Sequence, residues 1–257
     1  MGGNSKRRRE AFFRKHPICC FCGGGVLATT EDHWPGRLFF KGRRSPKGFV
    51  FPACQSCNSL SRDTETIIRL IAVSNHHDHD DHERWLKSVD WAKRNRPDII
   101  SSMRMDDRQK RIASREIGLF PPRGVAYRDL PFVNIEAKIW KPHLDTFARK
   151  LILALHYRLF SKPLGSSGAL SFVFQTNTSI RKNNIIESFS EIADNIEPTF
   201  FNRENISDQF SIRWSGRNSP NVAVWLVHLH ARIFFFAISA DNKEYATIEG
   251  RPLFGCF

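Results

Sequence analysis

Two Cys-x-x-Cys pairs, Cys19/Cys22 and Cys54/Cys57, bracket an adjacent Asp32-His33, and Asn58 follows the last cysteine directly. Paired thiols at this spacing offer two bites to one tetrahedral structural Zn²⁺. Cys20 is a competing ligand, but only Cys19 repeats the spacing of the second pair, and Cys256 lies far off near the C-terminus. His33 carries an imidazole that titrates near neutral pH and suits a general base working on water. The Asp32 carboxylate and the Asn58 amide are hard oxygen donors of the kind that hold Mg²⁺ or Mn²⁺. A base and a divalent cation together are what hydrolysis of a phosphodiester requires, the cation neutralising the phosphorus oxygens and the leaving oxygen.

These residues need a frame. Residues 26–34 and 49–53 have strand composition, and the loop between them, PGRLFFKGRRSPKG, is rich in turn formers and positive charge. A helix is expected from Asn58 onward, with Ile67, Ile68, Leu70, Ile71 and Val73 as its apolar stripe. Asp32 and His33, being adjacent on a strand, point to opposite sides, and a strand that ends or bends there lets both serve one site. A zinc staple would tie Asn58 back against that strand. Arg37, Lys41, Arg43, Arg44 and Lys47 in the intervening loop are candidate phosphate contacts that grip a backbone without reading sequence.

The fold class expected is α+β in three parts. Residues 1–75 form a zinc-stapled ββα unit, 76–128 a helical connector, and 129–257 a C-terminal α+β domain with an antiparallel sheet, serving recognition, dimerisation or regulation. GLFPPRG at 118–124 marks the boundary. In the last part, helices are expected at 142–160, with Pro142 in its first turn, and at 182–195. Strands are expected at 169–174 and 209–214, with one long strand over 221–239. His228, His230 and Arg232 would then share one exposed face of it, with Trp214 and Trp225 in the core. The run NHHDHDDHE at 75–83 reads as a solvated loop.

Composition points the same way. The chain of 257 residues has a formal net charge of +13, and residues 1–62 hold 12 Lys or Arg against 3 Asp or Glu. This favours an anionic partner, with nucleic acid first. The basic run at 6–9 opens either a solvated terminus or a phosphate-gripping arm. Neither a secretory signal nor an apolar run long enough to span a membrane is present, so the expected location is cytoplasmic and the thiols are expected to be reduced.

Cys-x-x-Cys, then Asp-His-x-Pro at 32–35, then Cys-x-x-Cys-Asn at 54–58 resembles the HNH endonuclease family, ββα-metal nucleases with an accessory four-cysteine zinc site. The likeness covers about residues 15–70. It is closest in kind to the branch whose Pro-x-Cys-x-x-Cys-Asn helix entrance is followed by Ser and acidic residues, here Ser61, Asp63 and Glu65. The resemblance implies that His33 is the general base, that Asp32 binds the catalytic ion, and that Asn58 stands where the motif's last His or Asn does. It implies cleavage of double-stranded DNA to 5′-phosphate and 3′-hydroxyl ends. One departure is Phe49, near the family's middle Asn. A base oriented by a backbone carbonyl tolerates that change, and one oriented by the side chain does not. Two other readings use the same residues: a non-catalytic zinc module that binds nucleic acid through its basic face, and a protein whose residues 129–257 bind a partner protein or form a homodimer, with the zinc unit as scaffold.

Overall fold

The computed structural model describes residues 3–73, 79–130, 132–135, 137–176, 198–199, 209–218, 220–230 and 232–257. The chain opens with helix α1 (Gly3–Lys15) and enters the two-stranded antiparallel sheet of β1 (Thr30–His33) and β2 (Val50–Ala53). Its register pairs Asp32 with Phe51 and His33 with Val50. Pro52 is tolerated because a two-stranded sheet is all edge, and its carbonyl accepts from Cys20 N. Between the strands the chain makes 3₁₀ turns at Arg37–Phe39 and Lys41–Arg43. Two helices follow, α2 (Gln55–Leu60) and α3 (Arg62–Ala72), separated at Ser61, whose φ −103° and ψ 2° are not helical. The apolar stripe at Ile67, Ile68, Leu70 and Ile71 is buried as its helical spacing predicts.

The connector is α4 (His79–Asn95), α5 (Pro97–Ser102) and α6 (Asp107–Glu116). Asp106 and Gln109 cap α6 reciprocally, the N3 amide donating to Asp106 and the Gln109 side chain accepting from the Asp106 amide. The run at 75–83 lies partly outside the described residues; within it, His82 stacks on Trp85 at 6.3 Å.

Helix α7 (Ala137–Phe160) is the hub. Phe147, Ala148, Leu151, Ile152, Leu153 and Ala154 are all fully buried, so the helix is apolar around most of its circumference and is covered on both sides. The ring of Phe147 alone touches Trp34 and Phe39 of the N-terminal part and Phe235 of the C-terminal sheet. One contiguous core therefore takes residues from all three stretches of the chain. Pro142 lies inside α7, not in its first turn, because the helix begins at Ala137.

The C-terminal sheet contains β3 (Ala169–Thr176), β4 (Pro198–Thr199), β5 (Phe210–Asn218), β6 (Asn221–Leu229) and β7 (Ile233–Ala240). Its order is β3-β7-β6-β5-β4 and every pairing is antiparallel. Alternate residues, among them Trp225, Val227, Ile233, Phe235 and Ala237, are buried. The protein is thus mixed α+β with antiparallel sheets. The single long strand expected over 221–239 is instead a hairpin. It turns at His230, which adopts φ +50° and is held by Gln209 O accepting from its amide and by a 2.6 Å contact of its Nε2 with Phe39 O. His228 and His230 consequently share no strand face: His228 stacks on Phe234 at 4.5 Å, and His230 is buried in the turn. Trp225 is core, as expected, and Trp214 is half-buried against it. The expected helix at 182–195 lies outside the described residues. Among the described residues, no helix is long and apolar enough to cross a membrane.

Candidate metal centre and the adjoining strand end

The cysteine knuckles meet as their spacing predicts. The Sγ atoms of Cys19, Cys22, Cys54 and Cys57 all lie within 4.8 Å of one another, with Cys22 at 3.5, 3.4 and 3.3 Å from Cys19, Cys54 and Cys57. A tetrahedral ion with bonds of about 2.3 Å sets sulfurs about 3.8 Å apart, so the cluster is compatible with a metal such as zinc. Cys19 and Cys57 enter from the interior and Cys22 closes the cluster from the half-exposed side. Without a cation the four thiols cannot ionise together. The hydrogen bond from Cys57 draws Cys19 down to about 5, while burial pushes Cys22 up to about 12 and the hydrogen bond to Cys19 pushes Cys57 higher still. Cys20 is fully buried outside the group, and burial keeps its thiol protonated. Among the described residues, this is the only group of three or more His, Cys, Asp and Glu side chains so arranged. Cys256 is engaged elsewhere, its thiol donating to Leu164 O.

The strand alternation separates Asp32 from His33 as geometry requires. Asp32 turns inward and is 6% exposed. Its Oδ2 lies 2.6 Å from Nζ of Lys150, which comes from α7 and is itself fully buried. The same ammonium donates to Cys57 O at 3.0 Å and to Ser61 Oγ, and it lies 4.3 Å from the centre of the Trp34 ring and 5.0 Å from that of Phe21. One lysine therefore ties β1, the second knuckle and the break between α2 and α3 into a single point. Burial raises the pKa of the Asp32 carboxyl, and the pull of Lys150 offsets that rise only in part.

His33 turns to the other side and is half-buried at the end of β1. Its Nε2 accepts from the guanidinium of Arg37 at 2.8 Å, so Nδ1 carries the proton of the neutral ring. That Nδ1 is buried without a hydrogen-bond partner. Burial, followed by the nearby charge of Arg37, holds the imidazole below its ordinary pKa and favours the neutral base. Phe49 packs its ring against Phe51 and Phe210 and is fully buried, so neither its side chain nor a backbone carbonyl orients His33. Arg37 does so from the opposite nitrogen.

Asn58 sits in α2, half-buried; its backbone amide donates to Cys54 O at 3.1 Å, while its side-chain amide makes no hydrogen bond to a described residue and none to Asp32. Of the loop cations, Arg37, Arg43, Arg44 and Lys47 are exposed and Lys41 is half-buried, its amide donating to Gln209 Oε1.

Sequence reasoning missed Lys150, which reads as an ordinary polar residue of an amphipathic helix. It also assigned Glu65 no definite place. The Glu65 carboxylate is the enclosed end of a half-buried side chain and accepts from Gly36 N at 2.6 Å. Glycine at 36 leaves room for that carboxylate, which a Cβ would push aside. Burial, and next the charge of Asp32, raise Glu65 from 4.5 to about 7. The folded protein thus holds a proton that the unfolded chain releases, so stability is fully present below pH 4.5 and is lost as pH rises through 7. Glu65→Gln keeps the acceptor for Gly36 and should gain stability over wild type as pH rises from 5 to 8, by on the order of 1–3 kcal/mol in urea unfolding at the upper end. A constant difference across that range would contradict the burial of this carboxylate.

No family model, curated protein or solved structure matches this chain.

Proposed function

We propose that the protein is a zinc-stapled endonuclease of ββα-metal type that hydrolyses phosphodiester bonds of double-stranded DNA, with His33 as general base. The observation that carries this reading is the end of β1: a neutral imidazole, capped by an arginine, on a strand held by a four-thiol cage and a basic loop. Zn²⁺ in the cage would let the four thiols ionise together and would fix the second knuckle, and hence Asn58, against β1.

His33 holds its basic lone pair on Nε2, where Arg37 donates. A DNA phosphate offers that guanidinium two anionic oxygens in a bidentate pair, a stronger partner than an imidazole nitrogen. Arg37 moving to phosphate frees Nε2 to take a proton from water, so the base is exposed only when the backbone is in place. Lys41, Arg43, Arg44 and Lys47 grip neighbouring phosphates. The residues that would hold Mg²⁺ or Mn²⁺ are the oxygen donors Asp32 and Asn58, and an ion there would have to displace the Lys150 ammonium, which lies 2.6 Å from Asp32 Oδ2. The ion, when bound, neutralises charge on the departing 3′ oxygen.

The test is cleavage of a DNA duplex and an RNA duplex of matching sequence with Mg²⁺ or Mn²⁺, followed by end-group analysis. The expected result is cutting of DNA to 5′-phosphate and 3′-hydroxyl ends. Binding of DNA with no cutting of either substrate would replace this reading with the non-catalytic nucleic-acid module. The ammonium of Lys150, which already neutralises Asp32, is the observation in favour of that second reading.

A further inference from the structure

The basic run at residues 6–9 forms part of a regular helix, α1, and that helix is docked. Arg9 lies over the Phe13 ring and donates to Thr29 O at 2.8 Å, one residue before β1 begins. Arg8 reaches Glu31 at 3.9 Å. Glu31 and His33 are two apart on β1 and share the face opposite Asp32. The N-terminal helix therefore borders the same side of the strand on which His33 opens and to which Arg37 of the basic loop reaches.

Arg9 and the half-buried Phe12 and Phe13 hold the helix, which leaves Lys6, Arg7, Arg14 and Lys15 exposed and in no bond with a described residue. Arg7 and Arg14 are separated by seven residues, close to two turns, and lie on one side, and Arg8 and Lys15 on another. From Lys6 to Lys15 the axis advances about 13 Å, the axial rise of roughly four phosphates on one strand. Glu10 is the single acid of the helix. A basic helix also suits an anionic membrane surface, but that use needs an exposed apolar face. Here Phe12 and Phe13 are half-buried: Phe12 packs on His16, whose Nδ1 lies 2.6 Å from the Tyr157 hydroxyl of α7. What the helix shows to solvent is mostly charge, with no broad apolar face.

We propose that α1 is a second backbone-gripping element, which with the Arg37–Lys47 loop forms a two-walled cradle that lays the DNA duplex across His33. This rests on the proposed DNA substrate but not on cleavage. Each phosphate contact removed lowers the salt dependence of binding by about 0.9 in the log–log slope.

The experiment measures the affinity of full-length zinc-loaded protein for a 30-base-pair DNA duplex over a range of salt, without Mg²⁺ or Mn²⁺ so that no cutting intervenes. The variant carries Lys6→Gln, Arg7→Gln, Arg14→Gln and Lys15→Gln together. A matched control carries Arg104→Gln, Arg108→Gln, Arg115→Gln and Arg123→Gln, and zinc content and melting temperature verify both folds. The expected result is a slope shallower by about 2 to 4 for the α1 variant and by less than 1 for the control. An unchanged slope for the α1 variant, or equal losses in both, would overturn the cradle. The two proposals fail separately: a protein that binds through α1 but never cuts keeps the cradle and loses the nuclease, and one that cuts with its slope indifferent to α1 does the reverse.

Discussion

Removing zinc is expected to unfold the N-terminal unit. The four thiols sit within 4.8 Å of one another, and no disulfide among them can substitute for the ion. The elements they join are short: β1 and β2 have four residues each and α2 has six. Segments of that size do not hold themselves, and structural Zn²⁺ contributes about 10–16 kcal/mol in comparable small sites at pH 7. The same core continues into α7, so the damage should reach the C-terminal sheet as a lower melting temperature for the whole chain. The purified protein should carry one zinc per chain. Cys57→Ser should lose it, while Cys20→Ala should keep it, because Cys20 is buried outside the cluster. Chelation that left the circular dichroism and melting temperature unchanged would contradict the staple, and zinc loss on Cys20→Ala would reassign its ligands.

Lys150→Met is expected to destabilise the protein by about 3–5 kcal/mol, the usual cost of breaking a buried ion pair from one side. The ammonium has no exposure, so no water replaces it, and Asp32 is left as an uncompensated carboxylate 6% exposed. The acceptors Cys57 O and Ser61 Oγ lose a donor at the same time. Removing both charges relieves most of that penalty. The double variant Lys150→Met/Asp32→Asn should therefore be more stable than Lys150→Met alone, by about 2 kcal/mol in urea unfolding. A single variant within 1 kcal/mol of wild type, or a double variant with no recovery, would show that the pair is not coupled.

Lys150 also marks the boundary of what could be read from the sequence. The cysteine cluster, the two strands around Asp32-His33 and the helix after them were legible, because metal-ligand spacing and apolar periodicity are local signals. The opposite facing of Asp32 and His33 followed from strand alternation. What Asp32 faces depends on a lysine from a helix distant in the chain, and no local pattern distinguishes it from the solvated lysines elsewhere. The hairpin between β6 and β7 was missed for a related reason. Its turn holds His230 at φ +50° where glycine or asparagine would have signalled it, and tertiary bonds to Gln209 and Phe39 compensate for the unusual residue. Pro142 was misplaced because α7 begins upstream at Ala137. Nothing in the sequence showed that Arg37 caps His33, since the 3₁₀ turn that brings it back to the strand end is set by packing of Phe39 and Phe40 in the core.

The central claim is that His33 activates water for cleavage. It is tested most directly by the rate at which supercoiled plasmid is nicked with Mg²⁺ or Mn²⁺, wild type against His33→Ala at matched zinc content and matched DNA occupancy. Loss of a general base predicts a fall of about 10²–10⁴-fold for the variant, with binding retained. Equal nicking by both proteins, or none by wild type on DNA it demonstrably binds, would contradict it.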